Sequence, residues 1–137
     1  MKLLEINADR VPAEKIGPDL WRVTCDYKAS YQTDEGTLLW TVHEGFKLNF
    51  RSGSSLINYI IPKRGKYGPF FCLHDASYNN KGDGVSRKLA DWLLVSACRK
   101  TGMSGWRCWL MEKAVRLFGK PAYSDSQKHL ITFMWSN

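Results

Sequence analysis

The segment SRKLADWLLVSACRK, residues 86–100, decides the fold. Apolar residues occupy almost every side of a helical wheel drawn through it, a pattern typical of a helix surrounded by other elements. Ser86 is a favourable N-cap and Gly102 a favourable stop, so we predict a helix to about Lys100. Asp91 lies inside this helix and needs a polar partner, because a buried carboxylate without one is costly.

The preceding segment GPFFCLHDASYNN, residues 68–80, predicts a short helix rich in polar groups. Pro69 suits the first turn of a helix that ends near Tyr78. His74 and Tyr78 lie four residues apart and share one helical face, and Asp75 lies beside them. An imidazole, a carboxylate and a phenol therefore project from neighbouring faces of one helix.

Two interpretations of these polar residues stay open from spacing alone. In the first, a structural network fixes how the two helices cross, and its members are His74, Asp75, Tyr78, Arg87 and Asp91. In the second, His74, Asp75 and Asp91 are catalytic acid–base groups or ligands of one divalent metal, with zinc as a candidate. Tyr78 would then stabilise charge or orient the substrate. The sequence has no HExxH motif that would favour the second interpretation.

The segment SGWRCWLMEKAVRLFG, which begins at residue 104, predicts a third helix to about Phe118. Its wide apolar face consists of Trp106, Leu110, Met111, Ala114, Val115, Leu117 and Phe118. Trp109 falls instead among basic residues, where a tryptophan can stack under a cation or anchor an interface. We therefore predict a protein interface formed by Trp109, Lys113 and Arg116, with coverage by loops as the alternative.

The first half of the chain predicts strands. WRVTCDY, residues 21–27, alternates polar and apolar residues, and LINYII, residues 56–61, predicts a further strand. TLLWTV and FKLNF flank a short glycine-containing loop and predict a hairpin from about Thr37 to Phe50. The tail KHLITFMW, residues 128–135, predicts a final strand that returns to the sheet.

This order of elements predicts a single domain over residues 1–137. Strands first and helices later are typical of an α+β fold, here a small antiparallel sheet with a three-helix cluster packed on one side. The four cysteines form no CxxC pair, which favours buried free thiols and a reducing compartment. No apolar run approaches the length of a membrane span.

Net charge and aromatic content limit the classes of partner that the chain is expected to bind. The net charge is +7, which favours acidic partners, but the basic residues form no run or RNA-binding motif, so nucleic acid is not favoured. Aromatic residues make up 13% of the chain, more than a small domain can hide completely. We therefore expect some of them to face a partner.

Several motifs together resemble an uncharacterised family found in tailed phages and prophages, the domain-of-unknown-function family thirteen fifty-three. The matching patterns are G-F, P, G-x-Y, H-D-x-x-Y, S-R-x-x-A-D and V-R-x-F-G, over about residues 37–123. They fall here on Gly45, Phe46, Pro62, Gly65, Tyr67, His74, Asp75, Tyr78, Ser86, Arg87, Ala90, Asp91, Val115, Arg116, Phe118 and Gly119. Asn49 departs from the family aspartate, and an amide is a poorer metal ligand and cannot act as a base.

The resemblance implies a phage or prophage origin and an association with virion, tail or lysis modules, without supplying an activity. We expect a small structural or interaction protein, made in the host cytoplasm and incorporated into the virion near the tail or neck. Its partners would be other virion proteins or further copies of itself, and it would need no cofactor. The alternatives are a metal-dependent hydrolase of cell wall or another host polymer, and a host-takeover or anti-defence protein.

Overall fold

The computed structural model describes residues 1–18, 20–49, 65–81, 85–118 and 123–136. Within them lie two antiparallel sheets and three α-helices, which confirms the α+β class. The strands are β1 Leu3–Ala8, β2 Ala13–Gly17, β3 Leu20–Val23, β4 Tyr27–Thr33, β5 Gly36–Val42, β6 Lys47–Asn49 and β7 Ile131–Ser136. The helices are α1 Gly68–Tyr78, α2 Arg87–Lys100 and α3 Gly105–Phe118.

The larger sheet has the strand order β1-β4-β5-β7. Its inner face is built by alternation along β5, where Leu38, Trp40 and Val42 are buried while Leu39 between them is exposed. The expected C-terminal strand is present as β7. It pairs with β5 over its whole length, and a 3-10 turn over Lys128–Leu130 leads into it.

The smaller sheet has the order β2-β3-β6, and it shows that the predicted 37–50 hairpin is wrong. The turn after β5 does exist, with Gly45 at φ +95°, a conformation that suits glycine. However, the Gly45 amide donates to the Val23 carbonyl at 2.8 Å, and the Val23 amide donates to the Phe46 carbonyl at 2.9 Å. The chain therefore crosses to β3 instead of folding back on β5.

The predicted strand over residues 21–27 is likewise split between the two sheets. Its first part ends β3 at Val23, and its last residue, Tyr27, begins β4. The N-terminal strands β1 and β2 were not predicted, because most of their side chains are exposed and give no clear alternation. The predicted strand 56–61 lies outside the described residues, as does Gly119.

The three predicted helices form close to their expected limits. The Ser86 hydroxyl accepts a hydrogen bond from the Leu89 amide at 3.1 Å, and Gly102 follows α2 at φ +109°. Pro69 lies in the first turn of α1. As expected, α2 is the central helix of the three, because it packs on both α1 and α3. It is not enclosed on every side, since it exposes part of one side whereas α1 is buried along most of its length.

The core fills the space between the inner face of the larger sheet and the helices. All four cysteines are free, and Cys72, Cys98 and Cys108 are buried as expected, whereas Cys25 is exposed. Burial raises the pKa of the Cys98 thiol to about 12, so this thiol stays protonated near neutral pH. Among the helices that the structure describes, none has the length and apolarity needed to cross a membrane.

Candidate functional site

Asp91 is the centre of a polar cluster between α1 and α2. Its Oδ1 accepts hydrogen bonds from His74 Nε2 at 2.8 Å and from the Tyr78 hydroxyl at 2.5 Å. Because an ionised carboxylate can only accept, the bond places the imidazole proton on Nε2. Burial, and after it the bond to Asp91, raises the pKa of Tyr78 well above its ordinary value, so the phenol stays a donor.

Arg87 extends this cluster to α3. Its Nε donates to the Tyr78 hydroxyl at 3.2 Å, and its Nη2 donates to the carbonyls of Val115 at 3.0 Å and Arg116 at 2.6 Å. Those carbonyls lie in the last turn of α3, where a cation is favoured by the helix dipole. One guanidinium therefore fastens α3 to the cluster formed by α1 and α2.

Hydrogen bonds join four of the five predicted network residues, His74, Tyr78, Arg87 and Asp91, and the membership of Asp75 stays a prediction. The Asn79 amide nitrogen donates to the Asp75 carbonyl at 2.8 Å and lies 3.5 Å from its Oδ1. Within the described ranges, no three His, Cys, Asp or Glu side chains are placed to hold a metal ion, and the proposed set of His74, Asp75 and Asp91 is among those that do not fit.

A cleft of about 580 Å³ lies between α2 and α3 beside this cluster. Its walls are Arg87, Lys88, Asp91, Trp92, Val95, Glu112 and Arg116. The side chains of His74 and Asp91 are only 10% and 13% exposed, and of these two only Asp91 lines the cleft. The cluster is therefore a largely closed network that meets the cleft at Asp91.

The outer side of α3 carries exposed tryptophans. Trp109 is 59% exposed with Lys113 Nζ 5.8 Å from its ring centroid, and Trp106 is 58% exposed with the Arg107 guanidinium 5.5 Å from its ring. The exposure of Trp109 and its contact with Lys113 agree with the predicted interface, which itself stays a prediction. Arg116 instead pairs with Glu112 at 2.8 Å.

Among the described side chains, the predicted apolar face of α3 is wrong at two positions, and the side chain of Phe118 lies outside the described part. Met111 and Val115 are buried, but Trp106 and Leu117 face solvent. The reason is that, among the described elements, α3 packs mainly on α2. The opposite side therefore keeps its large apolar groups in water.

A second polar cluster gave no sequence signal. His43 Nδ1 lies 3.2 Å from Asp26 Oδ2, and its Nε2 lies 3.1 Å from the Thr132 hydroxyl, 89 residues away along the chain. The Glu44 amide donates to Asp26 at 3.0 Å, and this bond is the main reason why the pKa of Asp26 is lowered. The cluster ties the turn after β5 to β7, and only the sheet pairing brings its members together.

Asn49, the position that departs from the family pattern, is the last residue of β6 and pairs with Leu20 through the backbone. Residues 50–52 of the same motif lie outside the described part of the chain. A role of this segment in the site therefore stays a prediction.

The polar cluster and the three helices that it joins lie mostly within the region that a protein-family model matches. Residues 21–115 match the family described as "Protein of unknown function (DUF1353)", and the chain belongs to this family. The family suggested by the sequence motifs is thereby confirmed, although the match begins earlier and ends earlier than expected. Searches of curated proteins and of solved structures found no significant match.

Proposed function

We propose that the chain is a small phage structural protein that docks onto another virion protein through α3. The observation that carries this proposal is the pair of exposed tryptophans, Trp106 and Trp109, on the outer side of one helix. Tryptophan is enriched among the residues that dominate interface energies, because contact removes a large ring from water. The resemblance of the motifs to phage and prophage proteins supports a place in the virion, near the tail or neck.

The polar cluster supports this role by holding α3 in position. Arg87 binds the carbonyls of the last turn of α3, and the Tyr78 hydroxyl to which it also donates is bonded in turn to Asp91. Interface residues are most effective when they are presented on a rigid element, since less freedom is lost on binding. In this account the cluster is structural and the tryptophans make the contact.

The test is the protein composition of purified particles from a strain that carries the gene. We expect mass spectrometry to detect the chain in intact particles, and the double variant Trp106→Ala/Trp109→Ala to be lost from them while still folding. Met134→Ala is the matched control, because Met134 is 60% exposed on β7 and outside the proposed interface. Repeated absence of the unaltered chain from intact particles contradicts the proposal.

A hydrolase of cell wall or another host polymer is the second candidate, and one observation favours it. Asp91, hydrogen-bonded to His74 and Tyr78, lines a cleft that a substrate could enter. The hydrogen bond between His74 and Asp91 has the geometry of an acid–base pair, and within the described ranges no set of three potential metal ligands accompanies it. The unaltered chain should release fragments from host cell walls, and His74→Ala should abolish this release while the fold is retained. Absence of release by the unaltered chain contradicts this candidate.

A further inference from the structure

The face formed by α2 and α3 belongs to two helices with an excess of basic residues. The two helices carry seven Lys and Arg residues against two acidic ones. Both acidic side chains already have partners within the chain, since Asp91 accepts from His74 and Tyr78 and Glu112 pairs with Arg116. A partner that approaches this face therefore meets a net positive surface.

The cleft between the two helices offers an apolar floor inside this basic surface. Trp92 and Val95 line the cleft and are partly buried against the core. Lys88 lies on its rim and is exposed. A cleft of about 580 Å³ falls within the range that binds drug-sized groups, so it can receive one or more apolar side chains.

The exposed side of α3 that carries Trp106, Trp109 and Lys113, here called the ridge, continues the same surface. Trp109 precedes the cleft residue Glu112 by three positions and so lies next to it on the helix. Lys113 and Arg107 lie over the rings of Trp109 and Trp106, so each tryptophan is accompanied by a cation that a carboxylate can reach.

We propose that the α2–α3 face binds an acidic segment of another protein. The segment inserts an apolar side chain into the cleft against Trp92 and Val95. Its carboxylates contact Lys88 on the rim and Lys113 on the ridge. This inference rests on the proposed docking role of α3 and adds to it the chemistry of the partner.

Two other occupants fit the charges less well. A second copy of the chain docked through this face would oppose two basic surfaces, and like charges brought together across an interface are unfavourable. Nucleic acid would bring phosphates towards Asp91 and Glu112, which line the same cleft. An acidic protein segment avoids the first obstacle by its charge. It avoids the second because it places an apolar side chain, and not an anion, beside Asp91 and Glu112.

The test is a selection from a yeast-displayed library of random linear peptides against the full chain. We expect the selected peptides to be enriched in Asp and Glu around one aromatic or aliphatic residue. A selected peptide should bind the variant Lys88→Glu/Lys113→Glu at least about tenfold more weakly, because its carboxylates then face like charges. The control Lys2→Glu/Lys15→Glu makes the same charge change at exposed residues of the strand half and should weaken binding much less.

The possible outcomes separate the two proposals. If the selected peptides are neutral and Trp109→Ala abolishes their binding, the docking role of α3 stands. The inference that the partner is acidic is then overturned. Equal losses in the two charge-reversed variants show attraction to overall charge and also overturn it. Dimerisation through this face would make a second copy of the chain the occupant and would overturn the inference. Single-stranded RNA would overturn it as well, if the RNA binds more tightly than the peptides and its binding is lost in Lys88→Glu/Lys113→Glu.

Discussion

At position 91, spacing along the chain leaves two helices that could supply a partner for the carboxylate: its own helix, through Arg87, or the preceding one, through His74 or Tyr78. In the structure His74 and Tyr78 bind Asp91, while Arg87 donates to Tyr78 and to carbonyls of α3. Helical spacing predicts which side chains share a face, but it gives no information on a contact with a third helix.

The variant Asp91→Ala should lower the free energy of unfolding by about 1–3 kcal/mol, because it leaves the donors of His74 and Tyr78 unpaired in a largely buried setting. Urea unfolding followed by circular dichroism measures this change. Glu112→Ala is the control, since an exposed ion pair is worth roughly 0–1 kcal/mol. A loss within about 0.3 kcal/mol for Asp91→Ala would show that the donors are solvated and that the network does not hold the helices.

Ionisation of tyrosine gives a second prediction at this scale. Burial is the main reason why the pKa values of Tyr27, Tyr31 and Tyr78 are raised in the folded chain. A raised folded pKa contributes stability that is fully present below the unfolded value of about 10 and is lost as pH rises through the folded value. We therefore expect the free energy of unfolding to fall above about pH 10.

Absorbance at the phenolate band during alkaline titration checks this expectation. These three tyrosines should ionise only as the near-ultraviolet circular dichroism of the fold disappears, and Tyr78→Phe should remove one of them from that late phase. Ionisation of all tyrosines near pH 10 with the native spectrum intact would contradict the burial of these rings.

At the scale of elements, local sequence signals located the helices correctly but did not predict how the strands pair. Ser86 and Gly102 mark the ends of α2 through their own backbone chemistry, so the sequence contains the information directly. The hairpin failed because the choice between β5 and β3 as the partner of β6 depends on Val23, distant in sequence. A turn signal predicts a change of direction and leaves the destination of the chain undefined.

The cap of α2 can be tested by Ser86→Ala. Loss of the hydrogen bond from the Leu89 amide should lower the free energy of unfolding by about 1 kcal/mol. Ser96→Ala, within the same helix, is the control and should have little effect, because alanine is the better helix former. Equal effects of the two variants in thermal unfolding would show that the cap contributes nothing.

For the whole molecule, the sequence established the class of fold and left the arrangement of its layers undefined. The larger sheet joins residues as distant as Val42 and Ile131, and it also brings together His43 and Thr132. Such contacts depend on the final topology and have no local pattern. The solvent-facing side of α3 was foreseen at Trp109 and missed at Trp106, because a wide apolar stripe does not reveal which part of it finds a neighbour.

We propose that the polar cluster positions α3 and that α3 makes the contact with a virion protein. The most direct measurement places the photoreactive residue p-benzoyl-phenylalanine at position 109, with the same residue at position 134 as the control, and irradiates intact particles. We predict a covalent adduct between position 109 and one virion protein, and no such adduct from position 134. Particles that contain the chain but yield no adduct from position 109 would contradict the account.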